Sequence, residues 1–149
     1  LRLGVEAGLP PEYVPHSGQR LSIYKRLSQA ESREEVEQVR AETVDRFGTT
    51  PEAAINLFRL AELRLLASEQ GANTVEWVGD GVGVRYGSSP NLDTARLVEL
   101  LRKDEGVGMT PSGLLKIRVP DPRADRITAA RLALRRLGDQ NRAREWTDA

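Results

Sequence analysis

Three successive stretches in the first half of the chain have apolar residues at helical spacing. They predict helices over residues 19–30, 32–47 and 51–70. The third stretch is apolar over a wide arc, which is typical of a helix that is largely buried. The first half should therefore be a small bundle of three helices.

The second predicted helix has clear sequence signals at both ends. Ser32 and Glu35 form a capping box, in which each side chain can bond a backbone amide of the first turn. Gly48 follows the last periodic residue, Phe47, and can adopt the left-handed conformation that ends a helix. Residues 32–47 should therefore form a separate, well-bounded helix.

This helix is predicted to have an apolar face and an acidic face, because residues turn by about 100° each. The apolar face holds Val36, Val39, Val44 and Phe47. We expect Phe47 to anchor the core against the next helix. The opposite face holds Glu34, Glu35, Glu42 and Asp45. Like charges at this spacing repel, so helix stability alone does not explain why they occur together.

The second half changes to a strand pattern. Short strands at residues 74–78 and 82–86 flank Gly79-Asp80-Gly81, which predicts a hairpin. A helix over residues 91–104 and a strand over residues 114–119 follow, the latter expected to pair near residues 107–109. A last helix should begin at Asp121-Pro122 and end at Gly138.

These elements predict an α+β fold. A helical half of three helices is followed by a β-hairpin-α-β-α half, whose small mixed sheet is packed by helices. Residues 1–16 are expected to be a short strand and a proline-rich connector, residues 17–138 the domain, and residues 139–149 a flexible tail. The chain begins at Leu1 inside an apolar alternation, so we expect a fragment of a longer protein.

Composition narrows the possible chemistry. The chain has 149 residues, with 22 basic and 22 acidic side chains, so its net charge does not call for a nucleic-acid partner. It has no cysteine, which excludes disulfides and thiolate metal sites and suits a cytoplasmic protein. No apolar run approaches the roughly 20 residues of a membrane span. We therefore expect no membrane partner.

Catalytic and cofactor motifs are missing from the sequence. His16 is the only histidine and lies on a turn, so it has no partner for a transition-metal site or a catalytic triad. The glycines of residues 79–87 do not have the spacing of a dinucleotide loop, and no G-x-x-x-x-G-K-[ST] motif occurs. We expect no catalytic residue, metal or cofactor in this fragment.

The last helix offers an alternative function. It is rich in arginine, as nucleic-acid-binding helices are: Arg123, Arg126, Arg131, Arg135 and Arg136. At helical spacing these residues spread around most of the polar arc, so a solvated arginine face is the simpler interpretation. A nucleic-acid-binding module that uses this helix stays open as the alternative.

The chain resembles the C-terminal domain of bacterial transcription-repair coupling factor. The motifs, in order, are residues 9–14 (LPPEYV), 20–27 (RLSIYKRL) and 42–48 (ETVDRFG), followed by Pro51. The resemblance is specific up to about residue 66. Beyond residue 72 it lies in the order of the glycine-rich hairpin, strands and helices.

The resemblance implies a regulatory role without catalysis. The parent protein in this family is an ATP-dependent DNA translocase, a helicase-type motor that uses ATP and magnesium upstream of this domain. It removes RNA polymerase from damaged DNA and recruits the damage-recognition ATPase of nucleotide excision repair. The C-terminal domain packs on the N-terminal repair-recruiting module of the same chain and masks its binding surface.

The same resemblance assigns the contact residues and the setting. Glu34, Glu35, Glu42 and Asp45 would meet the repair-recruiting module, with no direct nucleic-acid contact. The damage-recognition ATPase and RNA polymerase would be indirect partners, and the setting is the bacterial cytoplasm.

Overall fold

The computed structural model describes residues 1–87, 94–103 and 106–138. Its elements are, in order, α1 Ser17–Gln29, α2 Arg33–Phe47, α3 Glu52–Glu69, β1 Ala72–Val78, β2 Gly81–Tyr86, α4 Thr94–Lys103, β3 Val107–Met109, β4 Leu115–Arg118 and α5 Arg126–Leu137. The predicted tail and the first residues of the predicted fourth helix lie outside the described residues. Backbone contacts divide the chain into a unit of residues 5–65 and a unit of residues 1–4 with 66–149.

The unit of residues 5–65 is helical, and both end signals of α2 are confirmed. The Ser32 side chain accepts a hydrogen bond from the amide of Glu35 at 3.2 Å. Gly48 has a φ of 87°, in the region that favours glycine, and its amide bonds the carbonyl of Val44. Arg64 of α3 donates to the carbonyls of Leu27 and Ala30 at the end of α1. A side chain of α3 thus caps α1.

The predicted apolar face of α2 is partly wrong. Val36 and Val39 are buried as expected, but the third buried residue is Thr43, which is 2% exposed. Val44 and Phe47 are only half-buried. Thr43 lies between the two buried valines on the helix, whereas Phe47 lies about 40° and Val44 about 100° away from it. Phe47 instead packs at the edge of the unit, with its ring centroid 6.0 Å from that of Tyr13.

Three hydrogen bonds tie residues 8–13 to the three helices of this unit. The amide of Gly8 bonds the carbonyl of Ala53 at 2.9 Å, next to the start of α3. The amide of Leu9 donates to the hydroxyl of Tyr24 in α1 at 2.7 Å. The hydroxyl of Tyr13 donates to the carbonyl of Gly48, just after α2, at 2.8 Å. The proline-rich segment is therefore attached to all three helices.

The other unit contains a four-stranded sheet in the order β1-β2-β4-β3. The hairpin of β1 and β2 and the pairing of β3 with β4 are as predicted. All pairs of named strands are antiparallel, so the prediction of a mixed sheet is wrong. The parallel pairing at the start of the chain is an isolated bridge between Arg2 and Glu76, not a strand.

Helix α5 packs an apolar stripe into this unit. Its buried residues are Ile127, Ala130, Ala133, Leu134 and Leu137. The helix begins later than predicted, because Asp125 is the N-cap and its side chain accepts from the amide of Ile127. Asp121 instead accepts from the amide of Arg123 in the preceding turn. A short carboxylate serves equally well in a turn or at a helix start, which explains the error.

Candidate protein-binding surface on helix α2

The four predicted contact residues lie on one exposed side of α2, which we call the acidic face: Glu34, Glu35, Glu42 and Asp45. All four side chains are exposed. They fall within an arc of about 100° on the helix, at about 80° to 180° from Thr43, the centre of the buried arc. The acidic face is therefore exposed, but its four carboxylates differ in whether they already make hydrogen bonds or ion pairs within the chain.

Glu35 is part of the helix start. One carboxylate oxygen accepts a hydrogen bond from the amide of Glu31 at 2.8 Å, while its own amide bonds Ser32. The bond to Ser32 satisfies one backbone donor that the helix start leaves open, and the bond from Glu31 fixes the residue before the N-cap. Reversing the charge at this position would therefore also remove a cap.

Glu42 is engaged through both of its oxygens. Oε2 accepts from the guanidinium of Arg26 on α1 in a short ion pair, and Oε1 accepts from Gln38 at 3.3 Å. The hydrogen bond between Arg26 and Glu42 lowers the pKa of the Glu42 carboxyl. The same bond raises the pKa of the Arg26 guanidinium. Glu42 therefore carries its charge at neutral pH but already has a cationic partner.

Glu34 and Asp45 are the uncommitted members of the face. Neither side chain makes a hydrogen bond or ion pair to any other residue in the described part of the chain. They are eleven positions apart and point within about 20° of each other, at about 16 Å along the axis. Two unpaired carboxylates so arranged suit two cationic side chains on one partner surface.

A second ion pair on α2 lies outside the acidic face. Arg40 makes two hydrogen bonds to Glu37 one turn earlier, at 2.8 Å and 2.5 Å. This bond lowers the pKa of the Glu37 carboxyl. The Arg40–Glu37 pair is as exposed as the Arg26–Glu42 pair, with side chains 44% and 53% exposed against 43% and 47%. The two pairs thus differ in location and not in exposure.

The arginines of α5 do not form a free basic stripe. Arg126, Arg131, Arg135 and Arg136 are all half-buried. The guanidinium of Arg126 lies 4.5 Å from the centre of the Trp77 ring and donates to the carbonyl of Leu3 at 2.9 Å. Arg123 is exposed but precedes the helix. At least Arg126 among these arginines therefore makes contacts within the fold.

A small notch on the sheet is another cationic feature. It is lined by Lys116 and Arg118 of β4, with Gly106 and Gly108 leaving room beside them. Asp80 pairs with both cations, at 2.6 Å and 3.2 Å. The hydrogen bond from Lys116 lowers the pKa of the Asp80 carboxyl. The carboxylate already occupies the position that an anionic ligand would take.

Two kinds of feature are absent from the described residues. No group of three or more histidine, aspartate or glutamate side chains among them is placed to hold a metal ion. No helix in residues 1–87, 94–103 or 106–138 is long and apolar enough to cross a bilayer.

Comparison with known proteins gives consistent matches. Residues 3–97 match the family described as TRCF domain. A transcription-repair-coupling factor of Mycobacterium tuberculosis is 36% identical over 130 residues, which is 87% of this chain and 10% of that protein. One of Escherichia coli is 34% identical over 95 residues, covering 64% of this chain and 8% of that protein. The chain therefore spans about a tenth of the length of these relatives.

A solved structure matches the fold over nearly the whole chain. It is a crystal structure of the C-terminal domain of a transcription-repair coupling factor, with a TM-score of 0.74 and 18% sequence identity. The match covers 98% of this chain and 93% of the other. It supports the α+β architecture with both the helical and the sheet-containing parts.

Proposed function

The chain belongs to the TRCF domain family, and on this basis we propose that it is the non-catalytic, regulatory C-terminal domain of a transcription-repair coupling factor. The parent would be an ATP-dependent DNA translocase of the bacterial cytoplasm, whose motor uses ATP and magnesium. It would act in transcription-coupled nucleotide excision repair. The family match over residues 3–97 is the observation that carries this proposal.

Within the parent, the domain would hold the N-terminal repair-recruiting module in a masked state. The acidic face of α2 is the proposed contact. Glu34 and Asp45 are exposed and uncommitted, so a basic partner surface would meet charges that no other described residue neutralises. Mutual repulsion along the face would be relieved at the same time. RNA polymerase and the damage-recognition ATPase would be affected indirectly, through release of this contact.

The strength needed for such masking is modest. Close charge pairs across an interface couple by about 1.5 kcal/mol or more, and loss of one partner leaves the other unpaired. A change of about 5.5 kcal/mol is enough to turn a protein that is almost entirely closed into one that is almost entirely open. Two charge reversals would together remove about 3 kcal/mol or more of this coupling, which shifts the ratio of closed to open protein by about a hundredfold.

The test reverses the two uncommitted carboxylates in the full-length protein. Glu34→Arg with Asp45→Arg avoids the helix cap at Glu35 and the ion pair at Glu42. We expect the affinity for the damage-recognition ATPase to rise toward that of a deletion of residues 17–138. Binding constants measured by calorimetry for wild type, the reversal and the deletion would give the comparison.

The control carries the same change in net charge elsewhere. Glu6→Arg with Glu12→Arg alters two other exposed carboxylates of the helical unit and should leave the affinity at the wild-type value. If the deletion tightens binding but the reversal of Glu34 and Asp45 does not, masking exists and uses another surface.

The nucleic-acid alternative has weaker support. The arginines of α5 are half-buried, and Arg126 is engaged by Trp77 and the Leu3 carbonyl. Binding of this chain to duplex DNA that weakens steeply with added salt would favour it.

A further inference from the structure

The ion pair between Arg26 and Glu42 joins the acidic face to a different helix. Arg26 lies in the last turn of α1, and Glu42 lies on the acidic face of α2, about 20° around the helix from Glu35. No local helical spacing requires this contact, because the residues are 16 positions apart. An arginine from the domain itself thus occupies part of the surface proposed to receive basic side chains.

Both oxygens of Glu42 are occupied by donors from the same unit. Arg26 takes Oε2 and Gln38 takes Oε1. The planar fork of an arginine binds a carboxylate best through two parallel hydrogen bonds, which need both oxygens. A partner arginine that engages Glu42 in this way would compete with Arg26 for Oε2 and with Gln38 for Oε1.

We propose that Arg26 is a built-in competitor that lowers the affinity of the acidic face for basic partners. This inference rests on the proposed function of that face. In the free domain, Glu42 is ion-paired with Arg26, while Glu34 and Asp45 are available to a partner. Binding through Glu42 then has to exceed the strength of an existing pair.

The size of the effect follows from the exposure of the pair. Arg26 and Glu42 are 43% and 47% exposed, so their bond is in the range of surface ion pairs. Removing such a competitor should tighten binding by about twofold to fivefold. Loss of Arg26 in a supporting role would instead weaken binding, so the sign of the change is informative.

The experiment uses the 149-residue chain and a hexa-arginine peptide with blocked ends as the probe. Its control peptide has citrulline, which is neutral and similar in shape, at every arginine position. Titration followed by NMR shifts of α2 amides at low salt gives the dissociation constants. Thermal melts of each variant check that the fold is retained.

Arg26→Gln is compared with Arg40→Gln. Both changes remove one positive charge from an ion-paired arginine of nearly equal exposure, 43% and 44%, but Arg40 pairs with Glu37 outside the acidic face. We expect Arg26→Gln to bind the arginine peptide about twofold to fivefold more tightly, and Arg40→Gln less than about 1.5-fold more tightly. Equal tightening in both variants, or weaker binding in Arg26→Gln, would overturn the proposal.

A second background isolates the role of Glu42. In Glu42→Gln, Arg26 has lost its ion-pair partner, so adding Arg26→Gln should change the affinity by no more than Arg40→Gln does. Persistent tightening there would show a general charge effect and would also contradict the competitor role. This double-mutant comparison responds to the coupling of the two residues, not to their separate contributions to folding.

The same titration separates this inference from the proposed function. If Glu34→Arg with Asp45→Arg abolishes peptide binding but Arg26→Gln and Arg40→Gln behave alike, the competitor role alone fails. If Arg26→Gln tightens peptide binding but charge reversal leaves repair-ATPase affinity of the full-length protein unchanged, the competitor role stands and masking by this face fails.

Discussion

Helices α2 and α5 both carry many charges, yet the structure uses those charges in opposite ways. On α2, Glu34 and Asp45 extend from an exposed face without a partner in the described part of the chain. On α5, the arginines are half-buried, and Arg126 stacks on the ring of Trp77 and donates to the carbonyl of Leu3. The comparison shows that the number of charges on a helix does not measure how many are available to a partner.

The difference follows from the side chains themselves. Arginine has a long apolar stem that can cover hydrophobic surface while its planar head bonds carbonyls or stacks on a ring. Aspartate and glutamate are shorter and, when ionised, only accept hydrogen bonds. Glu34 in the first turn of α2 and Asp45 in its last turn accept none from any described residue. Arginines thus become part of the structure more readily than helix carboxylates do.

The largest expected effect tests whether α5 is a core helix. Leu134 is 0% exposed, and Leu134→Ala should lower the free energy of unfolding by about 2–5 kcal/mol through lost burial and a residual cavity. Leu132 on the same helix is 48% exposed, so Leu132→Ala should change it by less than about 0.5 kcal/mol. Urea unfolding followed by circular dichroism measures both, and similar values would mean that α5 is oriented differently.

An intermediate effect is expected for the internal arginine. Arg126→Ala removes the stacking on Trp77 and the bond to the Leu3 carbonyl, and should cost about 1–3 kcal/mol. The control is Arg123→Ala, because Arg123 is exposed and only its backbone amide makes a described hydrogen bond. Equal stability of the two variants in chemical unfolding would show that the contacts of Arg126 do not stabilise the fold. Arg126 would then not differ from the exposed carboxylates of α2.

The smallest effect is expected on the acidic face. Glu34→Ala with Asp45→Ala removes two exposed carboxylates without described partners, so stability should change by less than about 0.5 kcal/mol. A loss above about 1 kcal/mol in the same unfolding experiment would show that these residues support the fold, which would weaken their assignment to partner binding.

Much of the fold was predictable because its signals are local. Ser32 and Gly48 bound α2, and Gly79-Asp80-Gly81 marks the hairpin, since each acts within a few residues. Apolar character alone favours Phe47 over Thr43 as a buried residue, but position on the helix places Thr43 between the buried Val36 and Val39. Thr43 tolerates burial since its hydroxyl bonds the carbonyl of Val39, which satisfies the polar group.

The candidate site was predictable only as a face. Helical spacing places Glu34, Glu35, Glu42 and Asp45 together, and the structure shows all four exposed. The partner of Glu42 could not be predicted, because Arg26 is distant in sequence and the contact depends on how α1 and α2 pack. The distinction between committed and uncommitted carboxylates therefore needed the structure.

The attachment of residues 8–13 has a mechanical consequence. Its three hydrogen bonds reach the Ala53 carbonyl, the Tyr24 hydroxyl and the Gly48 carbonyl, so they lead to three different helices. Tension applied through the chain before residue 8 would be shared among these anchors and would not peel one helix from the others. A pull on this segment would therefore load all three helices of the unit at once, including α2, which carries the acidic face.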